Sequence, residues 1–229
     1  MAYASVMLKR TFQVALYVLL IGGCLFIPAG RLDWTAGWVY LVFWVTGVLL
    51  GAAVMWRVHP DLPAERGRGL KDAPAWDKVL VMVSAAYGPL VTLIVAGFDV
   101  RFGWTAEMPV VVQVTSLLVA LAGFCLTLWA IVANRFFSSI VRIQSNRGHH
   151  PVTGGPYAAI RHPGYVGMIA VWGATPLILG SWWAVLPAAV SVAATVIRSA
   201  LEDRMLRAEL EGYAAYADRV RYRMVPGVW

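Results

Sequence analysis

Residues 110–133 read VVVQVTSLLVALAGFCLTLWAIVA. No side chain in this stretch is charged, and Gln113 is the most polar of them. As an α-helix it would run about 36 Å, enough to cross the ~30 Å of hydrocarbon in a bilayer. Working outward, comparable blocks lie at about 12–29, 35–56 and 79–98. Two shorter ones, about 164–180 and 182–197, are split by Gly180 and Ser181. These blocks explain the composition, which is 60% hydrophobic and 14% charged with mean hydropathy +0.68. A soluble domain is about half apolar and about a quarter charged.

The fold expected is therefore all-α, a multi-pass transmembrane helical bundle. It has four long spans, a short C-terminal helical hairpin and a cytoplasmic amphipathic C-terminal helix. The hairpin arms are marginal in length, so crossing twice and dipping in from one side both remain open. Pro89, Pro176 and Pro187 fall inside blocks and should kink their helices. Residues 198–220 read as the amphipathic helix: Leu206, Leu210 and Tyr213 share a face, with Asp203/Arg207 and Arg207/Glu211 as i,i+4 pairs. Trp34, Trp38, Trp104, Trp182 and Trp183 cluster at block ends, as interfacial belts do. The two cysteines, Cys24 and Cys125, lie within apolar blocks and read as small buried hydrophobes.

Charge gives the orientation. Of 19 Lys and Arg, 17 fall in the N-terminus, the 57–78 loop, the 134–163 loop and the tail from Arg198. The opposite connections hold Arg31 and Arg101. Cytoplasmic loops collect Lys and Arg, so both termini and both long loops are expected in the cytoplasm, with the cell (inner) membrane as host. The net charge of +7 is explained this way, without nucleic acid as a partner. Lys9 and Arg10 precede a first span read as retained, since no small-residue cleavage site follows.

The chemistry-bearing residues concentrate in 134–229. We therefore divide the chain into N-terminal transmembrane helices, 1–133, and a catalytic region, 134–229, within one integrated membrane domain. A Gly-Gly-Pro turn at 154–156 is followed by Arg161-His162-Pro163 at the mouth of an apolar block. Arg198 and Glu202 lie one helical turn apart. Either one at the bilayer centre would cost about 2.5–3.5 kcal/mol or more, so they must face a polar cavity or the interface. His149-His150 has no Cys, Asp or Glu nearby to complete a ligand set, so no metal site is expected.

Read in order, these pieces are Gly-Pro-Tyr-x-x-x-Arg-His-Pro-x-Tyr-x-Gly (155–167), a hydrophobic hairpin, Arg-x-x-x-Glu-Asp-x-x-Leu (198–206), Gly-Tyr-x-x-Tyr (212–216) and Arg-Tyr-Arg-Met-Val-Pro (221–226). The set resembles the isoprenylcysteine carboxyl methyltransferase and phospholipid methyltransferase family of integral membrane enzymes. The loop His59-Pro60-Asp61-Leu62-Pro63-Ala64-Glu65-Arg66 is similar to loops of its bacterial members.

The resemblance implies transfer of a methyl group from S-adenosyl-L-methionine to a lipophilic or lipid substrate, by carboxylate O-methylation or amine N-methylation. Carried over by position, Gly155, Pro156, Tyr157, His162, Tyr165 and Glu202 would bind the cofactor, and Arg198 and Glu202 would be catalytic. Where relatives show Glu-Glu, this chain has Glu202-Asp203, so no role carries over to Asp203. Sterol-reductase-like membrane enzymes, which use NADPH, share the Arg-His-Pro but show Asn and Glu where this chain has Gly164 and Met168. A transporter or scaffold is the non-enzyme alternative. The first four blocks hold no ionisable interior residue, which argues against ion transport.

Overall fold

A computed structural model describes residues 2–229, with side chains described from residue 15 onward. The side chains of Lys9 and Arg10 thus lie outside the described residues. The long helices are α1 (Ala2–Ala29), α2 (Thr35–Val58), α5 (Gly88–Phe102), α6 (Val110–Ala133), α7 (Pro163–Ile178) and α8 (Val185–Glu209). Short helices α3 (Leu62–Arg66), α4 (Ala75–Met82) and α9 (Tyr213–Arg219) complete the chain. Among the described residues, four stretches are long and apolar enough to span a bilayer: Thr35–Val58, Ala75–Phe102, Val110–Ala133 and Val185–Glu209. The chain is an integral membrane helical bundle.

The second of these stretches combines α4 and α5 through a π-helical turn, Val83–Tyr87. Pro89 follows one residue later, after Gly88. A proline has no N–H to give the preceding turn, and the wider π turn accommodates that loss. The other two prolines sit near helix ends. Pro187 lies in the first turn of α8 and Pro176 in the last turn of α7, so at Pro187 the missing N–H lies where the helix has no partner for it.

The hairpin question is answered by its tip. Ser181 Oγ hydrogen-bonds the Asp99 carboxylate near the end of α5, and Trp182 N donates to Thr105 Oγ1 at 3.1 Å. Asp99 also accepts from Thr105 N at 2.7 Å and Thr105 Oγ1 at 2.6 Å. The α7–α8 turn therefore reaches the level of the α5–α6 turn, and the hairpin runs the full depth of the bundle. The 16-residue α7 makes the bundle's most extensive helix contact, with α6.

That packing depends on missing side chains. A Cβ at Gly123 would lie 2.7 Å from Gly167 O and from Ala170 Cβ, and one at Gly167 would collide with Gly123 O and Thr127 Oγ1. Small residues let membrane helices approach to backbone contact, where dispersion replaces the absent hydrophobic drive. The core gathers Leu25, Tyr40, Leu93, Ala96 and Trp172 from four helices, α1, α2, α5 and α7, with Leu179 at the end of α7.

Trp34, Trp38, Trp104, Trp182 and Trp183 lie at or beside the α1–α2, α5–α6 and α7–α8 turns. Trp104, Trp182 and Trp183 are exposed there, but Trp34 is buried and meets Phe26 edge-on at 6.1 Å. It is core rather than belt. Cys125 is exposed on α6, so it is not a buried hydrophobe.

The expected amphipathic helix 198–220 is two pieces. Residues 198–209 continue α8 without a break, and the chain then turns through Gly212, at φ 78°, into α9. The extended backbone at Leu210 ends α8, and the positive φ of Gly212, open to a residue without a Cβ, turns the chain into α9. Arg207 reaches Asp203 at 3.5 Å and Asp218 of α9 at 3.7 Å, so its second partner is not Glu211.

Candidate active site

At the loop-bearing end of the bundle, the ends of α2, α6 and α8 meet the starts of α4 and α7. A cavity of about 200 Å³ opens there. Its wall includes Tyr157, His162, Tyr165, Arg198 and Glu202, drawn from the two motif segments. The hairpin makes this meeting possible, because α8 returns the 198–209 segment to the level at which α7 began.

Glu202 accepts a hydrogen bond from the Tyr165 hydroxyl at 2.6 Å. Tyr165 stands one turn after His162, and its ring lies beneath the Arg198 guanidinium at 5.5 Å. Tyr157 is buried; its hydroxyl accepts from Asn134 Nδ2 at 3.2 Å, and its carbonyl accepts from Tyr216 OH at 2.8 Å. Burial, countered by the Asn134 bond, raises the Tyr157 phenol well above its usual range. It is a neutral hydroxyl at any physiological pH.

Gly155 and Pro156 shape the turn beside the cavity rather than its wall. Gly155 has φ 58°, and a Cβ would lie 3.0 Å from Ala133 Cβ, so the turn seats directly on the end of α6. Only a residue without a Cβ takes that conformation at low cost.

The Arg198–Glu202 pair does not form as an i,i+4 contact. Glu202 turns to Tyr165. Arg198 turns to Asp77 at the start of α4, with Nε donating to Oδ1 at 2.6 Å and Nη2 to Oδ2 at 3.3 Å, and Nη2 also donating to Ser139 O at 2.9 Å. Asp77 is fully buried and its Oδ2 accepts from Val141 N at 2.8 Å. The bidentate face of Arg198 is thus already taken.

Asp203 was passed over in the sequence, yet it organises the site's outer wall. It accepts from Arg161 Nε at 2.7 Å, Arg161 Nη2 at 3.1 Å and Tyr213 OH at 2.9 Å, with His162 Nε2 at 3.3 Å. Arg161 Nη1 donates to the carbonyls of Val220 and Arg221, each at 2.7 Å. Backbone pairing of Arg161 N with Tyr222 O and of His162 N with Arg223 O completes the clasp. The tail 213–223 is thereby stitched to the segment that carries His162. Burial, the Asp203 charge and the bond to Asp203 all raise the Tyr213 phenol, so it acts as a donor and not an acid.

The histidine pair at 149–150 is not a free loop. Both rings meet the buried Phe136 ring, at 4.6 and 5.0 Å. His149 Nδ1 accepts from Gln144 N at 3.2 Å. Burial, reinforced by the neighbouring positive groups, pushes His149 down to about 4, so it is a neutral acceptor.

The model of the phospholipid methyltransferase family matches residues 111–211. The matched stretch starts in α6 and ends just after α8, taking in the Gly155–Gly167 motif and Arg198 through Leu206. The resemblance read from the sequence is borne out, and with the apolar helices it supports a membrane methyltransferase. No curated protein matches the chain. Asp77 lies outside the matched stretch. The signal that could have found it was Arg198 itself: a buried guanidinium demands a carboxylate, and Asp77 is an acid at the mouth of an apolar block.

Proposed function

We propose that the chain is a membrane methyltransferase dependent on S-adenosyl-L-methionine, acting on a lipophilic substrate. What supports the reading is one observation: Tyr157, His162, Tyr165 and Glu202, from two segments joined by the hairpin, face one cavity within the family-matched stretch. The lining suits that cofactor by the chemistry of its donors. Glu202 offers a carboxylate to a cation, and Tyr157, Tyr165 and Phe136 offer aromatic surface to an adenine ring. When bound, the cofactor supplies an electrophilic methyl group on a sulfonium, whose C–S electron pair leaves with sulfur.

The protein's own work is alignment and exclusion of water. Tyr165 fixes the Glu202 carboxylate so that it opposes positive charge in the cavity. Asp77 and Ser139 fix Arg198 against the Tyr165 ring, leaving Nη1 free of these bonds. Where the acceptor is an amine, Glu202 or His162 would take the released proton. We further propose that 1–133 and 134–229 act as one domain, with the cavity facing the cytoplasm, as the loop charges require.

The test is calorimetric titration of purified protein in non-ionic detergent with S-adenosylmethionine and, separately, NADPH. The cofactor is expected to bind, and Glu202→Gln and Tyr165→Phe to weaken it by about tenfold or more, as for charge-assisted hydrogen bonds. Binding of NADPH alone would reverse the assignment to a reductase. Labelled cofactor added to membranes then shows which lipid fraction gains label.

A further inference from the structure

We propose that Arg66, the last residue of α3, is the docking cation for a carboxylate carried by a ligand of the cavity. Every arginine of the lining except this one pairs with a carboxylate. Arg142 Nε donates to Glu65 Oε1 at 2.7 Å, Arg161 Nε to Asp203 Oδ1 at 2.7 Å and Arg198 Nε to Asp77 Oδ1 at 2.6 Å. Arg66 lines the same cavity and is half-buried, and no carboxylate pairs with it among the described residues. Its neighbour Glu65 turns away, toward Arg142 and Arg68. Glu202 is engaged by Tyr165.

What Arg66 has is neutral. Nη1 donates to Phe137 O at 3.2 Å, and the guanidinium lies 5.7 Å from the Phe137 ring centre. That contact also locates it. A Cβ at Gly164 would lie 2.5 Å from the Phe137 ring, so Arg66 reaches the wall between His162 and Tyr165 through one aromatic layer. Ser139 joins the two cations: its hydroxyl donates to Arg66 O at 3.3 Å, and its carbonyl accepts from Arg198. Burial and the nearby Arg198 charge both disfavour the Arg66 cation. A guanidinium held partly out of water beside another, with its fork unspent, is a site for a planar oxyanion. The cavity therefore has a carboxylate at Glu202 and an unmatched cation at Arg66.

Two ligands of the proposed reaction could bring the carboxylate: the cofactor's own amino-acid moiety or an acidic lipophilic acceptor. The inference rests on the methyltransferase reading only in its choice of cofactor probe. Detergent-solubilised full-length protein is titrated with S-adenosylmethionine and its decarboxylated form, and with oleate and oleamide. Wild type is expected to prefer the carboxylate form in at least one pair by about tenfold. Arg66→Gln is expected to bring that ratio close to one, and Arg66→Lys to lower it less. Loss in the first pair assigns the cofactor carboxylate; loss in the second assigns the acceptor. Preferences that persist in Arg66→Gln, or are absent from wild type, overturn the proposal. Should Arg66→Gln fail to fold, Arg66→Lys decides: preferences identical to wild type count against a guanidinium fork. An oleate preference that depends on Arg66, without any cofactor binding, would overturn the cofactor reading and leave Arg66 standing.

Discussion

Asp77 and Arg198 lie 121 residues apart in the chain, and their side chains meet in a buried, two-pronged contact with Nε–Oδ1 at 2.6 Å. The pair joins the start of α4 to the middle of α8, both in candidate spans. It fastens a residue outside the family-matched stretch to one that lines the proposed cofactor cavity within it. Removing one member of such a pair leaves the other charge buried and unmatched, which costs about 3–5 kcal/mol. Asp77→Asn should therefore lower the thermal midpoint in detergent markedly. The Asp77→Leu/Arg198→Met double variant should regain much of that stability and no activity. If the single variant unfolds like wild type, the contact is not holding α4 to α8.

Asp203 is a second such centre. Asp203→Asn keeps the shape and removes the charge that Arg161 and Tyr213 address. The segment after Leu210 should then detach readily. Limited proteolysis should cut 210–229 faster than in wild type, while cleavage in the 67–74 loop stays unchanged. Equal acceleration at both places would mean general unfolding and would count against a local clasp.

Gly167 tests the helix crossing. In Gly167→Ala the new methyl meets Gly123 O and Thr127 Oγ1, which are backbone and a short side chain and have little room to yield. Overpacking of this kind costs roughly 1–3 kcal/mol. A lowered unfolding midpoint is expected for Gly167→Ala. Alanine at Gly173, where nothing lies within 4 Å of a Cβ, should be neutral.

His149 predicts a pH dependence. Its folded value is lowered from 6.5 to about 4, so between those values the unfolded chain binds more protons than the folded one. Stability should therefore fall as pH drops through that window and be fully present above it. Protonation also turns Nδ1 from an acceptor of Gln144 N–H into a donor. Thermal midpoints between pH 7.5 and 4.5 should decline less steeply for His149→Asn, whose amide oxygen can accept the same bond. Identical slopes for the two proteins would sink this assignment.

Periodicity and block length were enough to find the long helices, because a run such as 110–133 has nowhere to go but hydrocarbon. The motif order identified Tyr157, His162, Tyr165 and Glu202, and these do share one cavity wall. The division of 164–197 into two arms was also readable. Its depth was not, since depth depends on which distant groups the tip meets, here Asp99 and Thr105. The end of α8 is hidden for a related reason: hydrophobic spacing continues past Leu210, while the extended backbone at Leu210 and the turn at Gly212 redirect the chain.

The pairing of charges was the least readable part. Sequence spacing offered Arg198–Glu202 and Arg207–Glu211, because i,i+4 neighbours are the only partners a sequence displays. The fold replaced them with Asp77, Tyr165 and Asp218. Sequence by itself determined that this chain lies in a membrane and carries its motifs on two segments of its C-terminal half. Tertiary structure alone decided which carboxylate meets which guanidinium, and so that Arg66, among the arginines lining the cavity, is left without one. Burial is what makes the difference. Out of water a charge must find a partner at hydrogen-bond distance, and that distance is set by how helices cross rather than by their order along the chain.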